Sequence, residues 1–121
     1  MDAKVHGARD LPLEPVAAGK GTTRQVLTRR GDGAGFHMRR FVMEPGGGMP
    51  RHRNEVEHQQ YVLRGRATVG IGEEAVSVEA GTTLHIPAGV PHWYRAEGDE
   101  AFEFLCVVPD DEDRIELLEE E

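Results

Sequence analysis

From Thr23 onward the chain is cut into eight short runs that read as strands: TRQVLTRR, GFHMRRFVMEP, EHQQYVL, RATVGI, EAVSVE, TTLHIP, HWYRAE and EAFEFLCVV. Gly, Pro, Asp or Glu stands at every connection, in the combinations that suit turns. Repeated strands of this length, without a helical period between them, predict an all-β domain closed or nearly closed into a barrel. The 15 glycines and 7 prolines point the same way, because so many turn formers leave room for few helices. A chain of 121 residues suffices for one hydrophobic core and not for two. We read residues 1–22 as an extended N-terminal arm, 23–109 as the barrel and 110–121 as an acidic C-terminal tail.

The formal charge of -8 is concentrated in that tail, where DDEDRIELLEEE holds eight acids and one Arg. The remainder is nearly neutral and has no basic face, which argues against nucleic acid as a partner. The tail itself reads as a solvated, partly helical end. Cys106 is the sole cysteine, so no disulfide forms within the chain and a reducing compartment fits. No run is apolar enough to cross a bilayer, and the first residues lack the core of a signal peptide, so a cytoplasmic protein with no membrane association is expected.

Two connections carry more information than the rest. PGGGMP, from Pro45 to Pro50, packs three glycines between two prolines, where the backbone must bend sharply and come close to something else. IPAGVPH, from Ile86 to His92, is a Pro/Gly loop ending on a histidine. Residues two apart in a strand share a face, so His52 pairs in direction with Asn54, and His58 with Gln60 and Val62. If the fold brings His92 to them, they form a metal site.

The run GMPRHRNEVEHQQYVLRG followed by GTTLHIPAGVPHWYRA resembles the two motifs of the cupin superfamily. His52 and Asn54 occupy the two histidine positions of the first motif, His58 its glutamate position and Gly65 its end. Gly81, Pro87, Gly89 and His92 match the second motif, with Ala96 in place of its final Asn. A histidine at position 58, the PGG turn and the ending FLCVVP are similar to a subset of small single-domain cupins with an HxHxxxH motif and four metal-holding histidines; Asn54 departs from that subset.

The resemblance implies a cupin jelly-roll barrel, pairing of barrels as a homodimer, and one divalent transition metal per chain. His52, His58 and His92 would hold it, with Asn54 as a weak fourth ligand or an orienting group. Manganese or iron is favoured, and nickel, copper and zinc are compatible with imidazole. Neutral ligands leave the full metal charge to attract oxygen donors of a small-molecule substrate. The expected activity is that of an oxygenase-type enzyme, a dioxygenase in particular; isomerisation, hydrolysis, and non-catalytic binding as a sensor or storage module stay open. Parity adds Tyr94 as a donor to substrate and Met49, Gln60, Phe104 and Cys106 as pocket lining. Arg39 and Arg40 lie on opposite faces of one strand, and Arg39 is assigned inward to position substrate. His85 reads as structural, and His6 and His37 receive no role.

Overall fold

The computed structural model describes residues 3, 5, 7–29, 31–33, 35–111 and 113–119; His6 lies outside them. After one turn of 3-10 helix at Ala8–Asp10 come ten strands: β1 (Glu14–Pro15), β2 (Lys20–Val26), β3 (Phe36–Asn54), β4 (His58–Arg64), β5 (Arg66–Ile71), β6 (Glu74–Glu79), β7 (Thr83–Ile86), β8 (His92–Glu97), β9 (Phe102–Pro109) and β10 (Ile115–Leu117). They form one sheet in the order β6-β5-β8-β3-β9-β4-β7, with β2 and β10 added on β3, and β1 on β2. The described pairings are all antiparallel, and the sheet curls into a jelly-roll β-barrel.

Strand β3 organises this arrangement. Its first part pairs with β9, from Phe36 opposite Pro109 to Met43 opposite Phe102, while its last part pairs with β8, with Met49 opposite Tyr94 and His52 opposite His92. The glycine tract makes the change of partner. Gly46 has φ +80°, which favours glycine, and a Cβ on Gly48 would fall on the carbonyl of Tyr94. The bend and the close approach expected of PGGGMP are both present. The strand does not end at Pro45, however: pairing resumes beyond the glycines and carries β3 through Asn54.

Inward residues of β3, β4, β5, β7, β8 and β9 make the core, including Met43, Val62, Val69, Ile86, Phe102 and Phe104, each almost wholly buried. Each such side chain contributes about 1.5–3 kcal/mol by leaving water. Val16 and Ala18, from the segment between β1 and β2, pack against the same cluster. Glu103 is the exception on β9: it is buried beside the core but receives hydrogen bonds from Arg40 Nε (3.1 Å) and Arg64 Nη1 (3.0 Å).

The acidic segment departs from the sequence reading. Ile115, Glu116 and Leu117 form the strand β10 in place of a helical end, with their side chains exposed as expected of a solvated segment, and lie opposite Asn54, Arg53 and His52 of β3. Arg53 grips Glu116 through Nε and Nη2, and the amide of Leu118 donates to the carbonyl of Arg51. Residues 115–118 are thereby laid along the strand that carries His52 and Asn54. Among the described residues no helix is long and apolar enough to cross a membrane.

Candidate metal centre

His52 and Asn54 face inward from the end of β3, His58 and Gln60 from the start of β4, and His92 and Tyr94 from the start of β8; all six are buried. The period-2 alternation of three strands places them, since each pair is two residues apart. His52 and His92 are cross-strand partners with ring centroids 4.2 Å apart, and His58 stands edge-on to His92 at 5.7 Å. The residues assigned from sequence to the metal are thus brought to one place.

The far side of each ring is occupied. Nδ1 of His52 lies 2.7 Å from the carbonyl of Pro50, and Nδ1 of His92 lies 2.9 Å from the carbonyl of Val90. A carbonyl only accepts, so each Nδ1 carries the proton and leaves Nε2 with its lone pair. Nδ1 of His58 meets the sulfur of Cys106 at 3.6 Å, a softer partner. Nε2 of His58, Nε2 of His92 and Oδ1 of Asn54 are buried without a partner. Asn54 is oriented by Asp113, whose Oδ2 accepts from Nδ2 at 2.9 Å while its Oδ1 accepts from the Glu55 amide at 2.9 Å.

Electrostatics keep the imidazoles neutral. Burial pushes His58 down to about 3, helped by Arg39 and the two other histidines. Burial likewise lowers His92 to about 4, with His52 adding to it. His52 is lowered by burial too, against the pull of the Pro50 carbonyl and Asp113. Neutral imidazole with a free Nε2 is the form that binds a metal.

A divalent metal therefore fits this donor set by chemistry: two orphaned imidazole nitrogens, a third imidazole with its Nδ1 occupied, and an amide oxygen. It fits as a set of directed donors and not as a closed coordination sphere, since among the described residues no three His, Cys, Asp or Glu side chains stand in a finished ion-holding arrangement.

The donors line a cavity of about 430 Å³ together with Arg24, Arg39, Phe41, Met49, Tyr94 and Phe104. Arg39 faces this cavity, as assigned, and its Nη2 lies 3.4 Å from Cys106 Sγ, whereas Arg40 turns away to Glu103 and Gln25. Gln60 Nε2 donates to the Tyr94 hydroxyl at 2.7 Å, and burial pushes that phenol well above its ordinary value. Tyr94 stacks on Phe104 at 5.2 Å. Cys106 is fully buried, and burial raises its thiol. His85 is exposed and pairs with Glu57, and His37 lies 3.5 Å from Asp110, both away from the cavity lining.

Two charged cavity residues escaped the sequence reading. Asp113 was hidden in the acidic tail, although the alternation of Ile115 and Leu117 just after it is a strand signal. Arg24 alternates in phase with Val26 in the first run, which could have placed it inward.

Fold and donor set together define a small barrel with an imidazole-rich centre. The Cupin domain family model matches residues 39–108, and the chain belongs to the cupin family. It is 34% identical over 98 residues to the 1-methylthio-D-xylulose 5-phosphate methylsulfurylase of Rhodospirillum rubrum, covering 81% of this chain and 62% of that protein. Among solved structures it is similar to the polyketide cyclase RemF from Streptomyces resistomycificus, at 29% identity, TM-score 0.87 and coverage of 100% of this chain and 88% of the other. It is also similar to a cupin-2 domain protein of Rhodospirillum rubrum, at 30% identity, TM-score 0.82 and coverage of 99% and 82%.

Proposed function

We propose that this chain is a metal-dependent cupin enzyme that acts on a small oxygen-bearing organic substrate, with one divalent transition metal held by His52, His58, His92 and Asn54. The observation that carries this reading is the set of orphaned acceptors, Asn54 Oδ1, His58 Nε2 and His92 Nε2, around one cavity. Each buried group left without a partner costs about 1–3 kcal/mol, a cost that a bound cation offsets. Manganese or iron remains the favoured metal, from the family resemblance.

When bound, such a metal supplies Lewis-acid polarisation of a substrate oxygen. The chain's own groups do the rest. Gln60 donates to the oxygen of Tyr94, which leaves the phenolic proton to be donated into the cavity, and burial keeps that proton in place. Arg39 offers charge to the substrate, and the stacked rings of Tyr94 and Phe104 give its body a flat apolar wall. Gln60 Oε1, buried and without a partner, is available to accept from a substrate hydroxyl.

Of the reaction types open from the sequence, the relatives' names support those other than oxygenation, since neither is named an oxygenase, and we take rearrangement of a carbonyl compound as the first to test. One similar protein is named a polyketide cyclase and another acts in name on a xylulose phosphate, and polyketides and xylulose both carry carbonyl groups. Oxygenation is the alternative, carried by the family resemblance. A panel of carbonyl compounds incubated with the protein in D2O, with O2 uptake recorded in parallel, separates the two. The expected result is deuterium at a carbon next to the carbonyl with no O2 consumed. O2 uptake without exchange would favour the oxygenase, and neither signal across the panel would favour a binding module. The homodimer is kept as a proposal of the same family reading, to be measured by sedimentation.

A further inference from the structure

Arg24 and Arg39 both line the cavity, and nothing above uses Arg24. Arg24 lies opposite Phe41 across β2 and β3, and Arg39 is two residues from Phe41 on the same face. Diagonal neighbours of this kind have Cβ atoms about 7–8 Å apart, within reach of two long side chains converging on one group. Arg39 also lies over the Phe41 ring, with Cζ 5.1 Å from its centroid.

Among the described residues neither arginine forms an ion pair, and Nε of each is buried without a partner. Glu14 stands opposite Arg24 on β1 without an ion pair to it, and two other acids are committed elsewhere. Glu103 is held by Arg40 and Arg64, and Asp113, the one acid lining the cavity among the described residues, is held by Asn54 and the Glu55 amide. A partly buried guanidinium without a counter-ion is costly, and two side by side repel each other.

We propose that Arg24 and Arg39 form an anion subsite beside Phe41, and that the substrate places a phosphate monoester there. Two guanidiniums carry two positive charges and several donors in fixed forks. A phosphate monoester dianion matches both the charge and the number of acceptors, whereas a carboxylate supplies one charge and two oxygens. The subsite is read without the metal, but its role in placing a substrate oxygen toward the imidazoles rests on the function proposed above.

The test is calorimetric titration of the protein as isolated with glycerol phosphate, inorganic phosphate and acetate, repeated on Arg24→Gln, Arg39→Gln and the surface control Arg95→Gln. Metal content and melting temperature are measured on each sample. Glycerol phosphate should bind at least about tenfold more tightly than acetate, and each cavity substitution should weaken it by about tenfold while the control does not. Equal binding of acetate, or unchanged phosphate affinity in both cavity variants, would overturn the subsite. Affinity that tracks metal content and not the arginines would overturn it as well, by moving the anion to the metal. Tighter binding of inorganic phosphate than of the ester would overturn the substrate assignment. If a variant fails to fold, the comparison of the three anions on the unaltered protein with and without chelator treatment decides the case, since a preference for glycerol phosphate that disappears with the metal overturns the subsite. A protein that stays free of metal after reconstitution yet binds glycerol phosphate through these arginines would sink the proposed function and leave the subsite standing.

Discussion

Asp113 holds the amide of Asn54 from 59 residues away, accepting from Nδ2 at 2.9 Å and so leaving Oδ1 as the atom without a protein partner. An amide that spun freely would offer either end to the cavity. The carboxylate removes that choice, because it can only accept. Replacing Asp113 with Ala should therefore weaken metal binding by about 10–100-fold, the usual cost of losing an outer partner of a ligand. Competition against a fluorescent chelator measures it, and unchanged affinity would take Asn54 out of contact with the metal.

The same carboxylate makes a sharper prediction for Asn54→His. A histidine there adds a fourth imidazole, and its distal nitrogen can donate to Asp113, the arrangement that raises the basicity of a metal-ligating ring. Metal affinity should rise by about tenfold or more in this variant and fall back when Asp113→Ala is added. A rise that survives the second substitution would show that Asp113 does not orient the new ring.

Stability of the metal-free chain should depend on pH through the three imidazoles. In the folded state His58 and His92 sit at about 3 and about 4, below the 6.5 of an unfolded histidine, and His52 is lowered as well. Between pH 6.5 and 4 the unfolded chain therefore binds more protons than the folded one, so stability is present above 6.5 and is lost as pH falls. Urea midpoints on chelator-treated protein should drop steadily from pH 7 to pH 4.5. A flat profile would mean that the rings are solvated and charged in the folded state.

Glu103 tests the framework behind the site. Burial alone would raise its carboxyl, yet hydrogen bonds from Arg40 and Arg64 hold it below the ordinary value. Glu103→Ala leaves Arg40 half-buried without its partner and should cost about 3 kcal/mol in urea unfolding. Arg64→Ala removes a solvent-exposed partner and should lower the urea midpoint much less. Equal losses would show that Arg40 is satisfied by Gln25 alone.

Much of this was legible in the sequence because strands impose a period of two. All eight runs correspond to strands, and the parity that paired His52 with Asn54, His58 with Gln60 and His92 with Tyr94 survives as shared burial. The glycine tract was readable as a bend but not as a bend inside a strand. Whether pairing resumes after Gly48 depends on β8, more than forty residues away, and no local pattern reports it. Asp113 was lost for a similar reason: its charge matches its solvated neighbours, and only the pairing of β10 with β3 turns it toward Asn54. Arg39 could be separated from Arg40 only by guess, since the deciding partner, Glu103, lies on β9.

In the proposed function His52, His58 and His92 hold a metal with Asn54. Elemental analysis of the untagged protein, beside a His52→Ala/His92→Ala double variant, tests it most directly. About one transition-metal ion per chain, absent from the variant, is the result expected of an open site with few protein ligands. A wild-type chain that stays metal-free after reconstitution, or a variant that keeps the same content, would contradict it.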